Sequence, residues 1–152
     1  SVFNLNLGLK QARPSDKHWA YFSQKDHSFF RVGFYHNFAA GLAPSGAGSM
    51  YAEVSYSSFK PIDKKKIVAR IERDLRKVGL ISNGDEILMR DINDIKYAYP
   101  IYDKNYAEAR KQIMGFLSEH RITPCGRYGA WKYMSMEDVI QEGRIFAQRC
   151  FL

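Results

Sequence analysis

The hydrophobic period of this chain changes from two to about 3.6 after Pro61. Before it, apolar residues recur at every second position: Phe3, Leu5, Leu7 and Leu9 alternate with Val2, Asn4, Asn6 and Gly8. Met50, Ala52, Val54 and Tyr56 alternate in the same way with Tyr51, Glu53, Ser55 and Ser57. Period two marks strands with one face buried. After Pro61, Ile67, Ile71, Leu75 and Val78 return at helical spacing, Asp63 stands at an N-cap position and Gly79 where a C′ residue closes a helix. Strands first and helices mainly afterwards predict an α+β fold, a mostly antiparallel sheet with about three helices. Strands are expected over 2–9, 18–22, 29–35 and 50–58, and helices over 64–78, 105–119 and 136–149. Residues 23–28 have hairpin length, and 36–49, with Gly41, Pro44, Gly46 and Gly48, read as a loop. Residues 11–16 and Asn83-Gly84-Asp85 read as turns. Residues 86–102 fit one or two strands broken near Asn93-Asp94, and 122–125 fit a last strand. In the second helix Asn105 and Glu108 form a capping pair, with Tyr106, Ala109, Ile113, Phe116 and Leu117 facing inward.

The expected organisation is a sheet over residues 1–60 and helices with a C-terminal motif over 61–152, together one compact unit. The length of 152 residues supports a core, and 45% hydrophobic residues exclude a disordered tail. A net charge of +7 points to an anionic partner such as a nucleotide, phosphate, nucleic acid or membrane surface. Two cysteines, Cys125 and Cys150, have no metal spacing and are too few for a disulfide framework, so a reducing, cytoplasmic setting is expected. His18, His27 and His36 are nine residues apart, a spacing no metal motif uses on strands and loops. No run approaches the length of a membrane span. The start at Ser1-Val2-Phe3, already in a strand pattern, suits a fragment boundary.

The chemistry concentrates in Cys125-Gly126-Arg127-Tyr128-Gly129-Ala130-Trp131-Lys132-Tyr133-Met134-Ser135-Met136-Glu137-Asp138. It reads as strand, glycine turn, aromatic strand and helix start. Ser135 with Asp138 has the form of a capping box, which makes the amides of Met136, Glu137 and Asp138 the first-turn donors. A helix start carries roughly half a positive charge and favours anions.

This run, Gly-Arg-Tyr-Gly-x-Trp-x-Tyr before a polar turn and a helix, resembles the C-terminal flavin motif of the FAD-dependent amine oxidase-like proteins. Within them it is similar to the UDP-galactopyranose mutase and protoporphyrinogen oxidase type. Asp16-Lys17-His18-Trp19-Ala20-Tyr21-Phe22, Phe30-Arg31-Val32-Gly33-Phe34 and Met50-Tyr51-Ala52-Glu53-Val54 resemble the family's strands over the active site, and Ala98-Tyr99-Pro100-Ile101-Tyr102-Asp103 the segment before its last helices. The resemblance covers about residues 16–149. It implies the substrate-binding half plus the C-terminal flavin-contacting strand and helix of a flavoprotein. The FAD pyrophosphate-binding N-terminal half is missing: Gly46-Ala47-Gly48 is the only candidate for a Gly-x-Gly-x-x-Gly turn, and Tyr51 stands at its third position. On this resemblance Gly126, Arg127, Ser135, Met136 and Glu137 meet the cofactor, and Tyr133, Arg127 and Trp131 meet the substrate. The catalytic residue is unknown, and no metal is implied. Ser135 departs from the aspartate of the mutases.

The implied function is the C-terminal part of an FAD-dependent oxidoreductase or flavin-dependent sugar-nucleotide mutase. It would supply the substrate pocket and the site at the flavin's pyrimidine end, and by itself it would be inactive. The implied partners are the missing half, a small-molecule or sugar-nucleotide substrate, and a second copy through an exposed sheet face. The other reading is a basic α+β module that binds nucleic acid or nucleotides. At the level of single residues Arg127 also fits an internal ion pair, Tyr133 and Trp131 fit packed rings, and Lys64-Lys65-Lys66 fits a solvated face.

Overall fold

The computed structural model describes residues 1–12 and 15–151. Its elements in order are β1 (Val2–Leu9), β2 (Trp19–Tyr21), β3 (Arg31–Phe34), β4 (Gly48–Ser55), α1 (Ile67–Lys77), β5 (Ile87–Ile95), α2 (Tyr106–Glu119), α3 (Gly126–Gly129) and α4 (Met136–Phe151). Two short 3-10 turns, Tyr35–Asn37 and Ala40–Leu42, lie between β3 and β4. The α+β architecture with an antiparallel sheet and three long helices is what the change of period predicts. In the turn expected at 11–16, Arg13 and Pro14 lie outside the described residues.

The chain divides into two compact units, Ser1–Ala98 and Tyr99–Leu152. The division falls well beyond Pro61, because α1 and β5 belong to the sheet.

In the first unit the strand order is β2-β3-β4-β1-β5, with every neighbouring pair antiparallel. Register puts Phe3 opposite Val54, Leu5 opposite Ala52 and Leu7 opposite Met50, and continues to Val32 and Phe34 of β3. These side chains share one face and are buried with Ile67, Ile71 and Leu75 of α1. Asp63 precedes α1 by four residues: its carboxylate accepts from the Lys65 amide at 3.0 Å, and its carbonyl from Lys66 and Ile67. The helix closes as a Schellman turn, with Gly79 at φ 77° and the Leu80 amide donating to Leu75.

Asp74 is the one α1 carboxylate in the core. Burial raises its pKa, but bonds from Ser28 and the Arg73 charge outweigh burial and leave it lowered. The Ser28 amide donates to it at 2.9 Å, which fixes the β2–β3 connection to the helix.

Within 86–102 there is one strand, β5 over Ile87–Ile95, which runs unbroken through Asn93-Asp94, and 96–102 are not strand. Asn93 pairs with Asn4 and Asp94 with Phe3, and the Asp94 carboxylate is taken by Tyr56 and Lys64. The continuous partner β1 outweighs the local turn tendency of Asn-Asp.

The opposite sheet face is also partly covered. Tyr51 lies flat across Gly33, where an added Cβ would stand 2.0 Å from its ring. Replacing Gly33 by Ala must displace that ring, so Gly33→Ala is expected to lower unfolding free energy by about 1–3 kcal/mol in urea melts. The loss should shrink to under about 1 kcal/mol in a Tyr51→Ala background; equal losses in both backgrounds would exclude ring displacement as the cause. Leu5 is fully buried at the sheet centre, and Leu5→Ala is expected to cost about 2–5 kcal/mol in the same assay.

Candidate functional site

The residues singled out near the C-terminus all fall in the second unit, Tyr99–Leu152. The structure corrects their local form. No strand forms over 122–125 or 131–134; residues 126–129 are instead the single helical turn α3. A strand needs a partner to pair with, and among the described residues this unit has no other strand. Side chains satisfy the backbone in its place. The Tyr106 hydroxyl donates to the Trp131 carbonyl at 2.6 Å, Arg110 Nε donates to the Ala130 carbonyl at 2.8 Å, and the Tyr133 amide donates to the Tyr102 hydroxyl at 2.7 Å. Trp131 itself takes a positive φ of 45°, a rare conformation outside glycine.

Gly126 has φ 79°, which opens α3, and its amide donates to Glu142 Oε2 at 2.5 Å. The second turn of α4 thus holds the start of the glycine motif. Arg127 lies between two tyrosine rings: its guanidinium carbon is 5.0 Å from the Tyr99 ring centre and 4.8 Å from that of Tyr133. Such contacts each stabilise by about 0.5–2 kcal/mol. Its Nη1 also donates to the Met134 carbonyl at 3.3 Å. The arginine is half-buried, while the Tyr133 ring is exposed.

The capping box forms as the sequence predicts. Ser135 Oγ accepts from the Asp138 amide at 3.1 Å, and Asp138 Oδ2 accepts from both the amide and the hydroxyl of Ser135 at 2.8 Å. The Val139 amide turns back to the Ser135 carbonyl. The amides of Met136 and Glu137 are then the first-turn donors with no acceptor inside the helix. Both residues are exposed.

Arg127, Tyr133 and the Ser135 end of α4 are thus brought together through Met134. Trp131 enters by its backbone, and its half-buried ring tilts against Tyr128 at 6.2 Å. The capping pair expected at Asn105 and Glu108 does not form: Asp103 caps α2, accepting from the Asn105 amide at 2.9 Å, and Glu108 bonds Gln112. The inward face expected on α2 is not buried either, since no α2 residue is. Its Tyr106, Ala109, Ile113 and Leu117 instead line an open groove of about 460 Å³ with Tyr128 and Trp131. Sequence reasoning missed Tyr99, Tyr102, Glu142 and Arg110 as parts of this site. Only the cluster of tyrosines at 97–106 hinted at them.

In the first unit, the glycines of 46–48 hold no phosphate turn, because Gly48 opens β4 opposite Leu9. No cluster of His, Cys, Asp or Glu among the described residues could hold a metal, and no helix among them is long and apolar enough to cross a membrane. The face of this sheet away from α1 carries Trp19, Tyr21, Arg31, Tyr51 and Glu53. Arg31 pairs with Glu53 at 2.7 Å, and its guanidinium carbon lies 5.8 Å from the ring centres of both Tyr21 and Tyr51.

No family model matches the chain. Among solved structures, a crystal structure of reduced UDP-galactopyranose mutase is similar, with a TM-score of 0.78 and 23% sequence identity. The match covers 87% of this chain and 29% of that one, so the chain spans under a third of the length of the protein it matches. At that identity the likeness shows the fold: an antiparallel sheet followed by helices, as part of a longer chain in the mutase.

Proposed function

We propose that this chain is the substrate-side and flavin-contacting part of an FAD-dependent oxidoreductase of the amine oxidase-like type, or of a flavin-dependent sugar-nucleotide mutase. The observation that carries this reading is the start of α4. Its cap is satisfied internally by Ser135 and Asp138, which leaves the Met136 and Glu137 amides as outward donors beside Arg127 and Tyr133. That donor set fits the pyrimidine end of a flavin, where negative charge collects on reduction. A bound flavin would supply the group that takes up and returns an electron pair.

The roles of the chain's own residues follow from their chemistry. Met136 and Glu137 would donate backbone hydrogen bonds from a helix start that already carries partial positive charge. Arg127, oriented by two rings and the Met134 carbonyl, would present a fixed cation to a substrate phosphate or carboxylate. Tyr133 would offer its exposed ring and hydroxyl to the same ligand, and Trp131 would add apolar surface. The face of the sheet bearing Trp19, Tyr21 and Arg31 would belong to the substrate side. The N-terminal FAD-binding half, absent from these residues, would supply the pyrophosphate-binding glycine turn.

Three measurements test this. Titration of FAD into the 152-residue chain is expected to show millimolar binding at best. Two backbone bonds of about 0.5–1.5 kcal/mol each give at most about 3 kcal/mol before ordering costs. Micromolar binding with quenched flavin fluorescence would contradict this account of the site. In the complete enzyme, Arg127→Ala is expected to weaken flavin or substrate-phosphate binding about tenfold or more with the fold retained; an unfolded variant would mark Arg127 as structural.

The third measurement follows the cap with pH. Bonds from the Ser135 amide and hydroxyl hold the Asp138 carboxyl below its ordinary value of 3.8. A lowered folded pKa contributes stability that is complete above the ordinary value and is lost as pH falls through the folded one. NMR titration is therefore expected to place the Asp138 midpoint below 3.8, with protection of the α4 start lost in the same range. Ser135→Ala should move that midpoint up toward the ordinary value.

A further inference from the structure

We propose that a cavity in the first unit, between the β2–β3 connection and the start of α1, binds a small organic anion with an apolar, ring-sized body, such as an aryl phosphate. This site is independent of the flavin reading and shares no residue with it.

The cavity holds about 450 Å³, within the range of roughly 300–1,000 Å³ usual for small-molecule sites. Its apolar wall is built by Phe22, Phe29 and Ile62. Phe22 meets Phe29 edge-on at 5.0 Å, and the His27 ring stacks on Phe29 at 5.8 Å, so the wall is a set of mutually fixed rings. Three cations, Lys25, Lys60 and Arg70, complete the lining, and no carboxylate takes part in it.

Five cations elsewhere on the unit are closely neutralised, although Lys17 and Lys66 have a carboxylate only at 3.7 Å. Lys10, Lys64, Lys77, Arg31 and Arg90 each meet a carboxylate within 3.0 Å. Among the described residues Lys25 and Lys60 form no ion pair, and Arg70 has only Asp74 at 3.9 Å. The lining also holds His27, whose Nδ1 is buried without a hydrogen bond, and Ser28, which is bound to Asp74. An anion answers the cations, while an apolar body answers the rings. A nucleic acid strand would call for a track of cations with exposed rings along it. Here the cations surround a concave apolar wall that suits one compact body.

The test titrates 1-naphthyl phosphate, 1-naphthol and inorganic phosphate into the 152-residue chain by calorimetry, with NMR mapping. Naphthyl phosphate is expected to bind at one site, about tenfold or more tighter than either fragment alone. Shifts should centre on Phe22, His27, Ser28 and Ile62. Arg70→Gln and Lys60→Gln, both at exposed positions, should each weaken binding by about three- to tenfold with unchanged melting. Arg73→Gln, outside this cavity, should change it by less than about twofold. Equal affinity for naphthol, shifts mapping elsewhere, or an equal loss in Arg73→Gln would overturn the proposal. So would a single-stranded RNA oligonucleotide that displaces naphthyl phosphate and binds more tightly with a steep salt dependence, since it would assign the cations to nucleic acid.

Discussion

The first unit depends on one strand being paired along both edges. β1 is hydrogen-bonded to β4 on one side and to β5 on the other, antiparallel in each case. Its Phe3, Leu5, Leu7 and Leu9 are the apolar row on which α1 lands. A shift of β1 by one residue would turn that row away from α1 and put Asn4 and Asn6 into the core, so hydrophobic burial fixes the register of the whole sheet. From β1 the alignment passes to β4 and then to β3, which places Arg31 opposite Glu53 and Gly33 opposite Tyr51.

The second unit is held differently. Among its described side chains only Pro100, Ala130 and Met134 are buried, too little apolar burial to fix the loop between α2 and α4. Directed bonds do it instead: tyrosine hydroxyls and an arginine bind the backbone of 130–133, Glu142 binds Gly126, and Ser135 and Asp138 bind each other. The same unit leaves Ile113, Phe116, Met136 and Ile140 exposed. A small body with so many apolar side chains in solvent is one whose helices are suited to being covered.

How much the sequence disclosed follows from range. Strands β1 and β4 and the three long helices were legible because alternation and helical spacing are local and were uninterrupted there. The capping box was legible for the same reason, since Ser135 and Asp138 lie three residues apart. The 122–134 stretch was misjudged: Ile122, Trp131 and Tyr133 are good strand formers, but strand structure needs a neighbour, and no local pattern reports its absence. The Arg127 site depended on Tyr99 and Tyr102, about thirty residues away, and the Gly126 anchor on Glu142 from the last helix. The buried wall of His27 and Phe29 was hidden because the connection that carries it looks polar, and its burial comes from Asp74 binding Ser28 at a separation of 46 residues.

The interior position of β1, between β4 and β5, also has a consequence in time. Its two neighbours, β4 and β5, lie far along the chain, so the edge that faces β5 stays open until residue 95 has been synthesised. From the end of β1 to the start of β5 about eighty residues must be added. At roughly 5–20 residues per second on the ribosome this takes about 4–16 s. Throughout that interval the nascent sheet has four strands at most, and its unpaired edge belongs to its most apolar strand. Stray pairing with another nascent chain is then limited mainly by Asn4, Asn6 and Gly8 at alternate positions, which makes their polarity and small size a safeguard during synthesis as well as a feature of the finished sheet.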